Sequence, residues 1–208
     1  MPYRPFDTEQ MDPAATYRLL TAAIVPRPIA WVVTRATDGV LNCAPFSFFN
    51  MVGSDPPLLA IGLMAGANGL KHTARNILAT GEMVVHMVPE RLAEAMNITA
   101  VDAPDGVDEL SLAGLDTVPS VKVAPPRIAL APVAMECVTF QTIQTGPRQT
   151  LVLARVVMAH FDEAYLTAGD RPRVDTPAMG LIGRMHGPLA YARTTDLFDL
   201  ARPCWPPS

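Results

Sequence analysis

Proline interrupts this chain 21 times, spread along all 208 residues rather than gathered into one linker. Each proline removes a backbone donor, so the spacing reads as punctuation between short strands. The clearest pair is PIAWVVTR (28–35) and VLNCA (40–44), a β-rich run and its return about Asp38-Gly39, a hairpin-turn dipeptide. Residues 56–64 and 81–88 read as further strands, and RIALAPVAMECVTFQTIQTG (127–146) with QTLVLARVVMAHFD (149–162) as two long ones joined near Gly146-Pro147. A helix is expected near 13–20. A second lies within 68–81, where Leu70, Ala74, Ile77 and Leu78 recur at helical spacing, Asn68 can cap the start and Gly81 the end. The acidic stretch 100–120 reads as excursion and turn, and 163–208 shows no clear period. Strands do not alternate with crossover helices, so the class is mainly β with a closed or nearly closed sheet and a few short helices.

Half of the residues are hydrophobic and 17% are charged, an apolar balance that points to a homo-oligomer with surface buried between copies. The formal charge of −4, with Lys and Arg scattered, offers no basic field for nucleic acid. No run reaches the roughly 20 apolar residues of a membrane span, and the first residues, MPYRPFDTEQ, lack a signal pattern, so a cytoplasmic protein is expected. Cys43, Cys137 and Cys204 are far apart with no CxxC pair, and the four histidines form no HxxxH element; neither a disulfide framework nor a metal site is expected.

No catalytic triad signature, Walker loop or GxGxxG is present, and no catalytic residue is assigned. Three stretches could carry chemistry. In NCAPFSFFN (42–50) the Asn42 amide, the Ser47 hydroxyl and backbone amides line up with Phe46, Phe48 and Phe49 where Pro45 is expected to end the ladder, a mixture suited to a flat heteroaromatic ligand. A bulged strand whose phenylalanines are core is the commoner alternative. In LKHTARN, Lys71 and Thr73 fall in a first helical turn, where free N–H groups and the dipole favour an anion, with Arg75 and Asn76 nearby. An ordinary solvated helix face is the alternative. In GRMHGPLAYAR, Arg184, His186 and Tyr191 sit among glycines, without a carboxylate at fixed spacing. Cys43, lacking an adjacent base, reads as a small buried residue.

In order along the chain, VPRPIAWVVT, LNCAPFSFFN, DPPLLAIGL and KHTARNI resemble the flavin reductase-like FMN-binding split-barrel family, strongly over residues 24–88, with the later strands and RMHGPLAYART following. The resemblance implies a Greek-key-like split β-barrel binding FMN, with 1–208 one domain bearing extensions at 1–22 and 163–208. It implies that Asn42, Cys43, Ala44, Pro45, Phe46 and Ser47 contact the flavin through backbone and the Ser47 hydroxyl, and that Arg27, Lys71 and Thr73 serve its phosphate. Asn76, Arg184 and His186 complete the candidate binding set. Family members commonly carry an acid where this chain has His72. The implied activity is hydride transfer from NADH or NADPH to FMN by a homodimer, with a flavin-dependent monooxygenase as the partner that receives reduced flavin. The flavin carries that chemistry, which fits the missing acid–base dyad. The rival readings are an FMN-holding electron carrier that does not oxidise NAD(P)H, and a non-enzymatic β-barrel binding protein.

Overall fold

Strand β1 (Ala30–Arg35) is buried along nearly its whole length. Ala30 and Val32 face one core with Leu59, Ile61, Ile77, Met83 and Val152. Trp31 and Val33 face a second with Leu92, Met96, Leu110 and Ile128. A strand covered on both sides needs no apolar–polar alternation, which accounts for the unbroken AWVV. The computed structural model describes residues 1–66 and 69–205.

Strand β2 (Leu41–Phe46) returns antiparallel to β1 across the turn at Gly39, whose φ of 94° only glycine adopts readily. Next come β3 (Phe49–Ser54), β4 (Pro57–Met64) and β5 (Glu82–His86), then the short pair β6 (Thr117–Val118) and β7 (Arg127–Ile128). The long strands are β8 (Val133–Gly146) and β9 (Gln149–Phe161), and a last hairpin joins β10 (Ile182–Arg184) to β11 (Tyr191–Arg193). Seven of these form one antiparallel sheet in the order β2-β1-β5-β8-β9-β4-β3. Its two edge strands, β2 and β3, are consecutive in the chain and separated only by Ser47 and Phe48. Two intervening residues can span only about 11 Å, so the sheet curls until its edges meet at that corner. The result is a split β-barrel with Greek-key-like strand order and a few short helices, as the sequence led us to expect. Gly62 belongs to the corner: a Cβ there would lie 2.9 Å from the Cβ of Phe48.

Helix α1 (Pro13–Ala23) starts on Asp12, whose carboxylate accepts from the Ala15 N–H at 3.0 Å. Helix α2 (His72–Thr80) starts later than its spacing suggested, with Lys71 at the N-cap, and ends on Gly81 at φ 72°. The expected cap Asn68 lies outside the described residues. The buried face of α2 is Thr73, Ala74 and Ile77, whereas Leu70 and Leu78 are exposed, a correction to the expected apolar stripe. Helices α3 (Ala93–Ile98) and α4 (Glu109–Leu112) place Met96 and Leu110 in the second core, and α5 (Thr176–Met179) precedes the final hairpin.

Two strand expectations also change. The run 127–146 is two strands, because Pro132 separates β7 from β8. Pro45 does not break the ladder: β2 stays paired with β1 through Phe46. The Cys43 N–H points away from β1, to Glu109. Two residues on, position 45 turns its nitrogen the same way, so proline there removes no ladder bond. Among the described residues no helix is long and apolar enough to cross a membrane.

Candidate functional site

A buried polar network joins α2 to β2. Asn42 Oδ1 accepts from the Thr73 hydroxyl at 2.7 Å and the Thr34 hydroxyl at 3.3 Å, and Asn76 Nδ2 donates to Thr34 Oγ1 at 3.0 Å. Asn42 Nδ2 donates to Glu109 Oε2 at 2.9 Å, and the Cys43 N–H to the same oxygen at 3.0 Å. Leaving such groups unpaired in the interior is costly, so this network pins the start of α2 beside β2. There, Lys71, His72 and Thr73 meet Asn42, Ala44, Pro45 and Phe46 around a depression of about 140 Å³, closed by Thr99–Ala103 and Glu109.

The first-turn N–H groups of α2 have no side-chain cap, and Lys71 stands beside them. Such a helix start attracts an anion. Two carboxylates of the neighbouring loop already lie against its basic side chains: Asp102 accepts from Lys71 at 2.7 Å, and Asp105 from His72 at 2.7 Å and from Arg75. The Lys71 hydrogen bond holds the Asp102 carboxyl below its ordinary range, and Arg75, then His72, do the same for Asp105. The carboxylate beside position 72, where the family resemblance implied an acid on the helix itself, thus comes from the loop.

A second depression, of about 270 Å³, runs on from the first. It shares Pro45, Phe46 and Ala100 with it and adds Ser47, Arg184 and Tyr191. The Arg184 guanidinium lies 4.7 Å from the Tyr191 ring centre and donates to the carbonyls of Gly187 and Pro188. The hairpin carrying them docks closely on 26–27, since a Cβ at Gly183 would sit 2.9 Å from the Cβ of Pro26. Together the two depressions form one trough along the outward edge of β2, cationic at α2 and aromatic at Tyr191.

The trough gathers Asn42, Ala44, Pro45, Phe46, Ser47, Lys71, Thr73 and Arg184. Others stand elsewhere. Arg27 is nearly buried, and its guanidinium donates to the carbonyls of Thr21, Ile24 (2.8 Å) and Met185 (3.1 Å), with Nε 3.4 Å from Ser47 Oγ. It is a clamp between α1 and the last hairpin and borders neither depression. The Asn42 amide faces the network rather than standing free, and Asn76 supports it from behind. The Cys43 thiol is buried in the second core, where burial pushes its pKa well up; only its backbone lies near the trough. His186 is exposed in the turn between β10 and β11 and borders neither depression.

Sequence reasoning missed Glu109, Asp102 and Asp105, all within the stretch read as excursion. Their only local signal is an acidic run beside Leu110, which does not separate a buried carboxylate from a solvated one. It also assigned no role to His86. That ring is buried, its Nδ1 donating to Trp31 O and its Nε2 accepting from the Ile128 N–H, each at 3.0 Å, and burial lowers its pKa to about 4.

Known proteins are similar to this chain in sequence and fold. A protein of Deinococcus radiodurans is 40% identical over 207 residues, covering 97% of this chain and 91% of its own. The nitrilotriacetate monooxygenase component B of Bacillus cereus superposes with a TM-score of 0.90 at 33% identity, covering 96% of this chain and all of that one. The 2-nitrobenzoate 2-nitroreductase of Pseudomonas fluorescens gives 0.87 at 33% identity, over 99% of both chains. The family model described as flavin reductase like domain matches residues 22–195, and with the barrel and trough in place the chain belongs to that family.

Proposed function

We propose that the chain is an NAD(P)H-dependent flavin reductase that holds FMN along the trough. The observation that carries this reading is the continuity of the two depressions through Pro45, Phe46 and Ala100, which joins an anion-attracting helix start to an aromatic end. A phosphate would be held by Lys71 and the first N–H groups of α2, including that of Thr73, whose hydroxyl is engaged with Asn42. The ring would lie against Pro45–Ser47, with Arg184 and Tyr191 at its far side. These residues fit the group, provided Asp102 releases Lys71. Bound flavin supplies the two-electron chemistry, in which NAD(P)H and a proton reduce FMN to FMNH₂ with release of NAD(P)⁺. The protein's own part is to orient the ring and to neutralise the phosphate.

The likeness to a monooxygenase component B supports a flavin-dependent oxygenase as the consumer of reduced flavin. A homodimer is part of the same reading, supported by apolar side chains exposed on β3 and β8, among them Met51, Val52 and Phe140. So are a cytoplasmic location and a single domain over 1–208 with extensions at 1–22 and 163–208.

The test is anaerobic: protein and FMN are mixed with NADH or NADPH, and bleaching of the oxidised flavin is followed against a protein-free control. Fast bleaching names the donor. Flavin that binds and stays oxidised transfers the reading to an electron carrier, and protein that does not quench FMN fluorescence to a binding protein of another kind. Lys71→Ala is expected to weaken FMN binding about tenfold, the scale of one charge-assisted contact, with the fold intact by circular dichroism. Unchanged affinity removes Lys71 from the phosphate site.

A further inference from the structure

One polar group lining the first depression is unspent. Glu109, the first residue of α4, is almost fully buried, and its Oε2 accepts from both Asn42 Nδ2 and the Cys43 N–H. No donor among the described residues reaches its other oxygen, Oε1, and the residue lines the depression. Nor is Oε1 sealed in the interior, where the unpartnered side-chain oxygens among the described residues are those of Thr16 and Thr139, so it opens to the depression. The other polar side chains there are engaged. Asn42 bonds Thr73, Lys71 bonds Asp102 and His72 bonds Asp105. Thr99 Oγ1 accepts from Trp31 Nε1 at 2.9 Å and donates to the Met96 carbonyl at 2.8 Å.

A carboxylate oxygen in so buried a side chain is costly without a donor, so it calls for one from whatever fills the depression. The donor cannot be a phosphate, which offers acceptors and repels a carboxylate; a neutral hydroxyl suits it. Space narrows the choice further. The depression holds about 140 Å³, room for about five water-sized groups at ~30 Å³ each. That suits a short hydroxylated chain and is too small for a fused three-ring system, whose place is the second depression along Pro45–Ser47 and Tyr191. A flavin carries such a chain between its ring and its phosphate.

We infer that Glu109 is a ligand-binding residue, whose Oε1 accepts a hydroxyl of the polyol chain that links the flavin ring to its phosphate. This role rests on the flavin reading and adds to it a means of selecting the chain itself. One carboxylate then has two tasks: Oε2 ties β2 to α4, and Oε1 meets the ligand. A flavin without hydroxyls leaves Oε1 unpaired and is disfavoured for that reason.

The experiment is a fluorescence-quenching titration with FMN, riboflavin and lumiflavin, which has a methyl group in place of the chain, in native protein and in Glu109→Gln. The substitution keeps an amide oxygen for Asn42 Nδ2 and the Cys43 N–H and turns Oε1 into an uncharged NH₂ group. Native protein should bind riboflavin about tenfold more tightly than lumiflavin. In the variant, riboflavin and FMN should each lose about fivefold, the difference between a charge-assisted and a neutral hydrogen bond, with lumiflavin unchanged. A role confined to folding would instead shift the start of α2 and weaken FMN more than riboflavin. Three results overturn the inference: lumiflavin bound by native protein as tightly as riboflavin, riboflavin indifferent to the substitution, or a loss larger for FMN than for riboflavin. The first of these needs no variant to fold. Native protein that quenches none of the three removes the flavin reading itself, whereas quenching of all three keeps that reading whichever way Glu109 falls.

Discussion

The two ends of β2 are supported by opposite means. At the start of α2, five side chains from four elements, Thr34, Asn42, Thr73, Asn76 and Glu109, lock one another through buried hydrogen bonds. At the β2–β3 corner, the covering helix α1 contributes no buried residue and is held by the Arg27 clamp and the Tyr17–Phe48 contact. Buried, satisfied networks resist local opening, whereas an exposed helix with few apolar contacts opens at low free energy. The α2 end is thus a fixed anchor, and the α1 wall is the part that can adjust.

The most damaging change should be Glu109→Ala. It strands two buried donors, Asn42 Nδ2 and the Cys43 N–H, and at about 2 kcal/mol for each the loss is about 4 kcal/mol. Urea denaturation would measure it, and a loss under about 1 kcal/mol would mean that the network does not anchor this end. Next comes acid. His86 has a folded pKa of about 4 against an ordinary 6.5, because burial and its acceptance from the Ile128 N–H disfavour the cation. The unfolded chain therefore binds the proton first as pH falls. Stability is complete above pH 6.5 and declines toward pH 4, by about 3 kcal/mol in all. Equilibrium unfolding between pH 7 and 5 isolates the effect from most carboxylates; a flat profile there would contradict a buried neutral His86.

How far the chain announces this design differs between the same two ends. The β1–β2 hairpin is legible because Asp38-Gly39 and the run AWVV act locally, and Lys71 and Thr73 are legible as a helix start. Glu109 is not, since its partners Asn42 and Cys43 stand 67 and 66 residues away and nothing local marks its burial. The α2 stripe misled because Leu70 and Leu78 suit a helical period, while the sheet covers the face of Thr73, Ala74 and Ile77. Arg27, which the family resemblance assigned to the phosphate, has no local mark of the carbonyls of Thr21, Ile24 and Met185 that the folded chain brings onto it. The final hairpin has three-residue strands, too short to show alternation.

Arg27→Ala probes the adjustable wall directly. It frees the carbonyls of Thr21, Ile24 and Met185, and the local opening of α1 should become easier by about 2 kcal/mol. Hydrogen exchange should show the protection of α1 amides falling while that of β1 is kept. Equal losses in both would make α1 part of the anchor and erase the contrast between the ends.

The smallest expected effect sharpens the comparison most at the anchor itself. Asp102 is bound to Lys71 where a phosphate would bind, yet both side chains are largely exposed, and exposed pairs contribute little. Asp102→Asn should therefore tighten FMN binding by about twofold, with the gain shrinking as salt is raised. Riboflavin, which lacks the phosphate, serves as the control and should respond to neither the substitution nor the salt. If riboflavin gains as much as FMN, Asp102 acts on the ring end of the trough, and the cationic start of α2 is not where the two ligands differ.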